Sequence, residues 1–257
     1  MRTLALAIAI GVACSRAASA PALELSEIPG RGAFDEFDSV LPLPPGKEGV
    51  ERFALGDIHG FVHVYEGRDG AYAEVWISEY LESSVSGLVL ADADLDGLRE
   101  ILVYTEGGRI HLLDLGDYHS LWSNPATDYE QISALAVHDV DDDEQPELLF
   151  VADGRLVIYD GRDRFEEWRS DQDNLTSTDL LVGDVDGDGA DEIVLNDGFV
   201  FDARYRDLEW QSPESFGERI GLLDVDDDEI PEVVGEFGGR FLRIFDIDLR
   251  RMKSAHQ

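Results

Sequence analysis

Five times along the chain a glutamate opens a run that passes through an apolar segment, a turn and a second, alternating segment. From Glu100 the run reads ILVYTEGGRIHLLDLGDYHSLW, ending at Trp122. From Glu147 it reads LLFVADGRLVIYDGRDRFEEW, ending at Trp168, and from Glu192 it reads IVLNDGFVFDARYRDLEW, ending at Trp210. Glu51 opens RFALGDIHGFVHVYEGRDGAYAEVW, ending at Trp76. Glu232 opens VVGEFGGRFLRIFDIDLRRM, which has no tryptophan. The glutamates stand 49, 47, 45 and 40 residues apart. A unit of this size cannot bury its own apolar faces, so it must stack against its neighbours. The repeat therefore limits the chain to architectures built from stacked copies.

Each unit reads as four short strands. An apolar run such as ISALAVHD or STDLLVGD precedes the glutamate, and a run such as EILVY follows it. A turn then leads to an alternating segment such as RIHLLD and to a last segment ending in Trp. Short alternating segments bounded by turn residues indicate all-β structure. Four-stranded units at this period indicate the blades of a β-propeller, here five blades over residues 34–252. In the fifth unit Gly238 stands beside Gly239 as one extra residue before the third strand, which predicts a bulge or a longer turn. Residues 21–45, with PLPP at Pro42–Pro45, fit the pattern less well; LELSEI (Leu23–Ile28) is a candidate ring-closing strand, and residues 253–257 are read as a tail. Trp76, Trp122, Trp168 and Trp210 recur at one place per unit, which predicts packing between blades; exposed, they would stack on sugar rings.

Four of the five units carry an acidic stretch ahead of the glutamate strand: DADLDGLRE (Asp92–Glu100), DVDDDEQPE (Asp139–Glu147), DVDGDGADE (Asp184–Glu192) and DVDDDEIPE (Asp224–Glu232). All share D-x-D-x-D-x-x-x-E. The carboxylates at positions 1, 3, 5 and 9 are Asp92, Asp94, Asp96 and Glu100 in the first, and Asp139, Asp141, Asp143 and Glu147 in the second. In the third they are Asp184, Asp186, Asp188 and Glu192, and in the fourth Asp224, Asp226, Asp228 and Glu232. With a backbone carbonyl near position 7, such a set can wrap a hard cation, and Ca²⁺ with its six to eight oxygen ligands is the expected one. Gly97 and Gly189 at position 6 suit a sharp turn, whereas Glu144 and Glu229 there predict a strained positive φ. The glutamate falls at position 9 at the start of a strand, so these are not EF-hands, whose glutamate stands at position 12. The first unit has LPLPPGKEGVE in the aligned place and predicts no metal.

These loops and their repeat resemble the FG-GAP/VCBS family of extracellular propellers, over about residues 51–252. The resemblance implies calcium at loops between the first two strands of a blade, and roles in adhesion, ligand binding or scaffolding. Some large members of the family act on polysaccharides. The glycine–strand–Asp–Trp pattern is also similar to quinoprotein-type propellers, which implies an envelope scaffold.

The formal charge is −36, from 56 acidic and 20 basic residues. This argues against nucleic acid or an anionic membrane surface as partner. The N-terminus reads as an export signal over residues 1–20: Arg2, then the apolar LALAIAIGVA, too short to span a bilayer, then the small residues of CSRAASA. GVAC (Gly11–Cys14) resembles a lipobox that would place a lipid on Cys14, although Gly11 stands where Leu is usual. Cys14 is the only cysteine, so no disulfide staples the mature domain, and the loops with their 21 acidic residues would gain stability from bound cations instead.

No G-x-S-x-G, cysteine nucleophile or phosphate loop occurs. His59 and His63 lie near Asp57, but His63 aligns with His111 and Val157, as expected of a strand position rather than a ligand. His138 immediately precedes the second loop, where it would either tune that loop or do nothing, and the second reading is favoured; His119 and His256 are read as ordinary polar positions. The chain is expected to be an exported, calcium-binding, non-enzymatic module, secreted, periplasmic or at the cell surface, that engages a protein or glycan through a propeller face. The alternatives are a polysaccharide lyase or hydrolase and a lipid-anchored envelope scaffold.

Overall fold

The computed structural model describes residues 40–256 except 47, 48, 69, 70 and 142, with side chains to residue 253. The export signal, Cys14 and the LELSEI segment lie outside the described residues. The described strands form five four-stranded antiparallel sheets, each keeping chain order from its first strand to its fourth. Blade one holds β1 (Val40–Leu43), β2 (Arg52–Gly56), β3 (Val62–Arg68) and β4 (Ala71–Ile77). Blade two holds β5 (Val85–Ala91), β6 (Glu100–Thr105), β7 (Ile110–Asp114) and β8 (Ser120–Ser123). Blade three holds β9 (Ile132–His138), β10 (Glu147–Ala152), β11 (Arg155–Asp160) and β12 (Phe165–Arg169). Blade four holds β13 (Leu180–Gly183), β14 (Glu192–Leu195), β15 (Phe199–Asp202) and β16 (Leu208–Gln211). Blade five holds β17 (Arg219–Leu223), β18 (Glu232–Phe237), β19 (Phe241–Asp246) and β20 (Arg251–His256).

The apolar runs after each glutamate become second strands with both faces covered. In β6, Ile101 and Val103 point to the blade-one side, while Leu102 and Tyr104 point to the blade-three side. Strand alternation thus divides one buried segment between two interfaces. β10 does the same, with Leu148 and Phe150 on one side and Leu149 and Val151 on the other. Fully burying a side chain of this kind contributes roughly 2 kcal/mol. Four such apolar clusters join successive blades; among the described residues none joins blade five to blade one. The first strands of successive blades lie against one another. Val40, Leu88, Leu135 and Asp179 line a shared cavity of about 260 Å³.

The tryptophans pack between blades. Trp76 meets Tyr118, Trp122 meets Tyr159, Trp168 meets Phe201, and Trp210 meets Phe216, with ring centroids 5.3, 6.0, 6.3 and 5.8 Å apart. Each contact links the outer strand of one blade to the next blade or to the segment leading into it.

Every outer strand carries one bulge at the same rung. The pairing steps from Val64–Trp76 to Tyr65–Glu74, from Leu112–Trp122 to Leu113–Ser120, and from Ile158–Trp168 to Tyr159–Glu166. It steps from Val200–Trp210 to Phe201–Leu208 and from Ile244–Ser254 to Phe245–Met252. The residues left out of the ladder are Val75, Leu121, Glu167, Glu209 and Lys253. Ser254 therefore stands where the other blades have tryptophan, and β20 continues to His256 through residues expected as a tail. At Gly238 and Gly239 there is a longer turn rather than a bulge. Both have positive φ, and β18 and β19 stay in register up to Phe237–Phe241.

Candidate metal centres

The four acidic stretches connect the first and second strands of blades two to five and repeat one backbone design. The position-9 carboxylate turns back on its own loop: Oε2 of Glu100, Glu147, Glu192 and Glu232 accepts the N–H of Ala93, Val140, Val185 and Val225, at 2.9, 2.9, 2.8 and 2.8 Å. The position-1 aspartates accept from position 6: Asp92 from Gly97, Asp139 from Glu144, Asp184 from Gly189 and Asp224 from Glu229, at 3.0, 3.0, 3.1 and 3.0 Å. Position 6 has φ of 87° at Gly97 and 90° at Gly189, but also 71° at Glu144 and 73° at Glu229. The expected strain at the two glutamates is present, and a left-handed non-glycine residue costs roughly 1–2 kcal/mol.

These turns gather carboxylate oxygens. Asp92, Asp94, Asp96 and Glu100 bring one oxygen each within 4.8 Å of one another, as do the sets Asp139–Asp141–Glu147, Asp184–Asp186–Glu192 and Asp224–Asp226–Glu232. Asp143, Asp188 and Asp228 are not in the converging sets. Each accepts the N–H of position 7, on Gln145, Ala190 and Ile230.

Three of the nests hold carboxylate oxygens that are buried yet have no hydrogen-bond partner: Oδ1 of Asp92 and of Asp94, Oδ1 of Asp141, and Oε1 of Glu192. Glu192 is 1% exposed. Burial, reinforced by the neighbouring aspartates, pushes Glu100 and Glu147 up to about 7 and Glu192 up to about 8, against the opposing backbone hydrogen bond. Orphaned, crowded oxygens of this kind suit a hard dication, which would supply the missing partner and relieve the repulsion.

The nests also draw charge from neighbouring elements. His138 Nε2 lies 2.7 Å from Asp191 Oδ2, so a residue expected to have no role ties the second loop to the third. Residues with positive φ in the turns between third and fourth strands reach toward the preceding blade. Arg164 lies 4.0 Å from Asp94, and Arg206 lies 2.5 Å from Glu167. In the fourth loop Lys253 Nζ stands 2.5 Å from Asp226 Oδ2 and 2.5 Å from Glu232 Oε1.

In blade one the strand register places Arg52, not Glu51, at the glutamate position. Arg52 pairs with Leu43 and Glu66, as Glu100 pairs with Ala91 and Asp114. Its Nε donates to the Pro44 carbonyl at 2.9 Å, and one terminal nitrogen donates to Tyr118 Oη at 2.9 Å. Arg52, Glu66, Arg68, Trp76 and Tyr118 line a cleft of about 1020 Å³ between blades one and two. His63 is 2% exposed, and its ring nitrogens lie 3.2 Å from Asp57 and 3.2 Å from Glu74. His119, expected to be an ordinary polar residue, joins Asp114 and Asp117 in an exposed acid–imidazole turn.

No family model matches the chain, and comparison with curated proteins finds no match. Solved structures do match. The complex of BBS1N with ARL6DN aligns at a TM-score of 0.61 and 12% identity, covering 88% of this chain and 70% of that one. The Vibrio cholerae biofilm matrix protein Bap1 aligns at 0.59 and 19%, covering 84% and 38%. BamB from Moraxella catarrhalis aligns at 0.51 and 16%, covering 83% and 62%. The chain thus spans less than two thirds of the latter two. At these identities the likeness is one of fold: the chain is an all-β propeller with five four-stranded blades.

Proposed function

We propose that the protein is an exported, calcium-stabilised propeller that works as a non-enzymatic binding or scaffold module for a protein or glycan. The observation that carries the calcium reading is the set of orphaned buried oxygens in the first three loops, above all Oε1 of the almost fully buried Glu192. The binding reading draws support from the fold's use elsewhere. One structure of similar fold is a complex with a second protein, and another is a biofilm matrix protein. The cleft between blades one and two offers arginines beside aromatic rings, a lining suited to an acidic glycan or an acidic peptide. Protein and glycan arrays probed with and without Ca²⁺ test this reading. Ligand retention that depends on Arg52 or Arg68 supports it, and retention unchanged by both substitutions removes the cleft from the proposal.

The same cleft favours a second reading, a polysaccharide lyase or hydrolase. Incubation with uronate-containing polysaccharides, followed by ultraviolet absorbance of unsaturated ends and a reducing-end assay, separates the two. The export reading is tested by mass spectrometry of the mature N-terminus, which also reports whether Cys14 carries a lipid.

A further inference from the structure

In blades three, four and five the bulge of the outer strand sets its extra residue beside the acidic loop of its own blade. Glu167 lies close enough to Glu147, and Glu209 to Glu192, to oppose those carboxylates' ionisation, and Glu209 also feels Asp186 and Asp188. In blade two the same position holds the apolar Leu121. In blade five it holds Lys253, whose ammonium contacts Asp226 Oδ2, Glu232 Oε1 and, at 3.8 Å, Asp246 Oδ2.

The two groups bonded at 2.5 Å occupy positions 3 and 9 of the loop. These positions supply orphaned oxygens in the other nests: Asp94 and Asp141 at position 3, Glu192 at position 9. In the fourth loop those places have a partner within the chain. An ammonium offers three donors and one positive charge, and it is tethered, so an incoming cation competes with a group already in place.

We propose that Lys253 is the resident counter-ion of the fourth acidic loop, so that the chain takes divalent cations at its first three loops and not at the fourth. This rests on the reading that the loops bind calcium. The test is Ca²⁺ stoichiometry at saturation, measured on the full chain by equilibrium dialysis with elemental analysis. The wild type is expected to hold three ions, Lys253→Met four, Asp226→Asn three and Asp186→Asn two. A wild type holding four ions, with Asp226→Asn falling to three, overturns the proposal while leaving the calcium reading intact. So does Lys253→Met remaining at three. A wild type holding none overturns the calcium reading itself, and the proposal falls with it. If Lys253→Met does not fold, the paired results for Asp226→Asn and Asp186→Asn decide the matter.

Discussion

Trp168 on the outer strand of blade three meets Phe201 of blade four edge-on, with ring centroids 6.3 Å apart and planes at 74°. Phe201 is 1% exposed and belongs to the cluster that joins these two blades, with Trp168 packed against its side. Replacing Trp168 with Ala should lower the unfolding free energy by about 3 kcal/mol, as expected for truncating a packed aromatic. Urea denaturation measures this. If Trp168 served mainly to stack on sugars, Trp168→Ala would abolish glycan retention and leave the denaturation midpoint in place.

Calcium should raise the thermal midpoint. At a Kd of about 10⁻⁴ M, a value within the range of extracellular modules, millimolar Ca²⁺ adds about 1.4 kcal/mol per site. Scanning calorimetry after EDTA treatment should show a lower midpoint that excess Ca²⁺ restores. A midpoint indifferent to both treatments removes the ions from the stability of the fold.

Position 6 gives a backbone test that involves no ligand atom. Glu144 holds φ at 71°, and only its N–H takes part in the hydrogen bond to Asp139, so glycine keeps that bond and relieves the strain. Glu144→Gly should stabilise the protein by about 1 kcal/mol. Gly189→Ala should cost about as much, although no atom lies within 4 Å of the added methyl. Opposite shifts in chemical denaturation are expected, and equal destabilisation by both would contradict the strain argument.

The raised glutamates fix the sign of the pH response. Folding lifts Glu100 and Glu147 to about 7 and Glu192 to about 8, so the folded apo protein holds these protons more tightly than the unfolded chain does. Their contribution is fully present below about pH 4.5 and is lost as pH rises through 7 to 8. The EDTA-treated protein should therefore melt at a lower temperature at pH 8.5 than at pH 5.5. Saturating Ca²⁺ should remove that fall, because the ion needs the deprotonated ligands. Melting curves across this range, with and without Ca²⁺, decide it.

The unit of four strands was readable because alternation, turn residues and the leading glutamate recur together. The loop design was readable too, down to the strain at Glu144 and Glu229. Blade one was harder. Glu51 stands beside Arg52, and a landmark glutamate invites alignment on itself, whereas the ladder to Leu43 and Glu66 selects Arg52. Counted back from Arg52 instead of Glu51, the places aligned with the aspartates in LPLPPGKEGVE all move by one residue. His138 showed no pattern of its own, because its partner Asp191 belongs to another blade. The bulge residues did leave a signal. Each immediately precedes the tryptophan, or Ser254 in its place, but a bulge obeys no alternation, and Val, Leu, Glu, Glu and Lys look unrelated until the pairing is known.

That exemption from alternation has a consequence for how such a chain can diverge. A residue in the ladder must satisfy the core on one face and the solvent on the other, so most changes there are penalised. The five bulged positions escape that constraint, and those of blades three, four and five sit beside the acidic loops, where a change of one unit charge counts most. Substitution at a handful of sites could therefore retune how many ions the ring carries while the interfaces between blades stay as they are. The ionic character of the molecule and the integrity of its core are separable traits, open to selection one at a time.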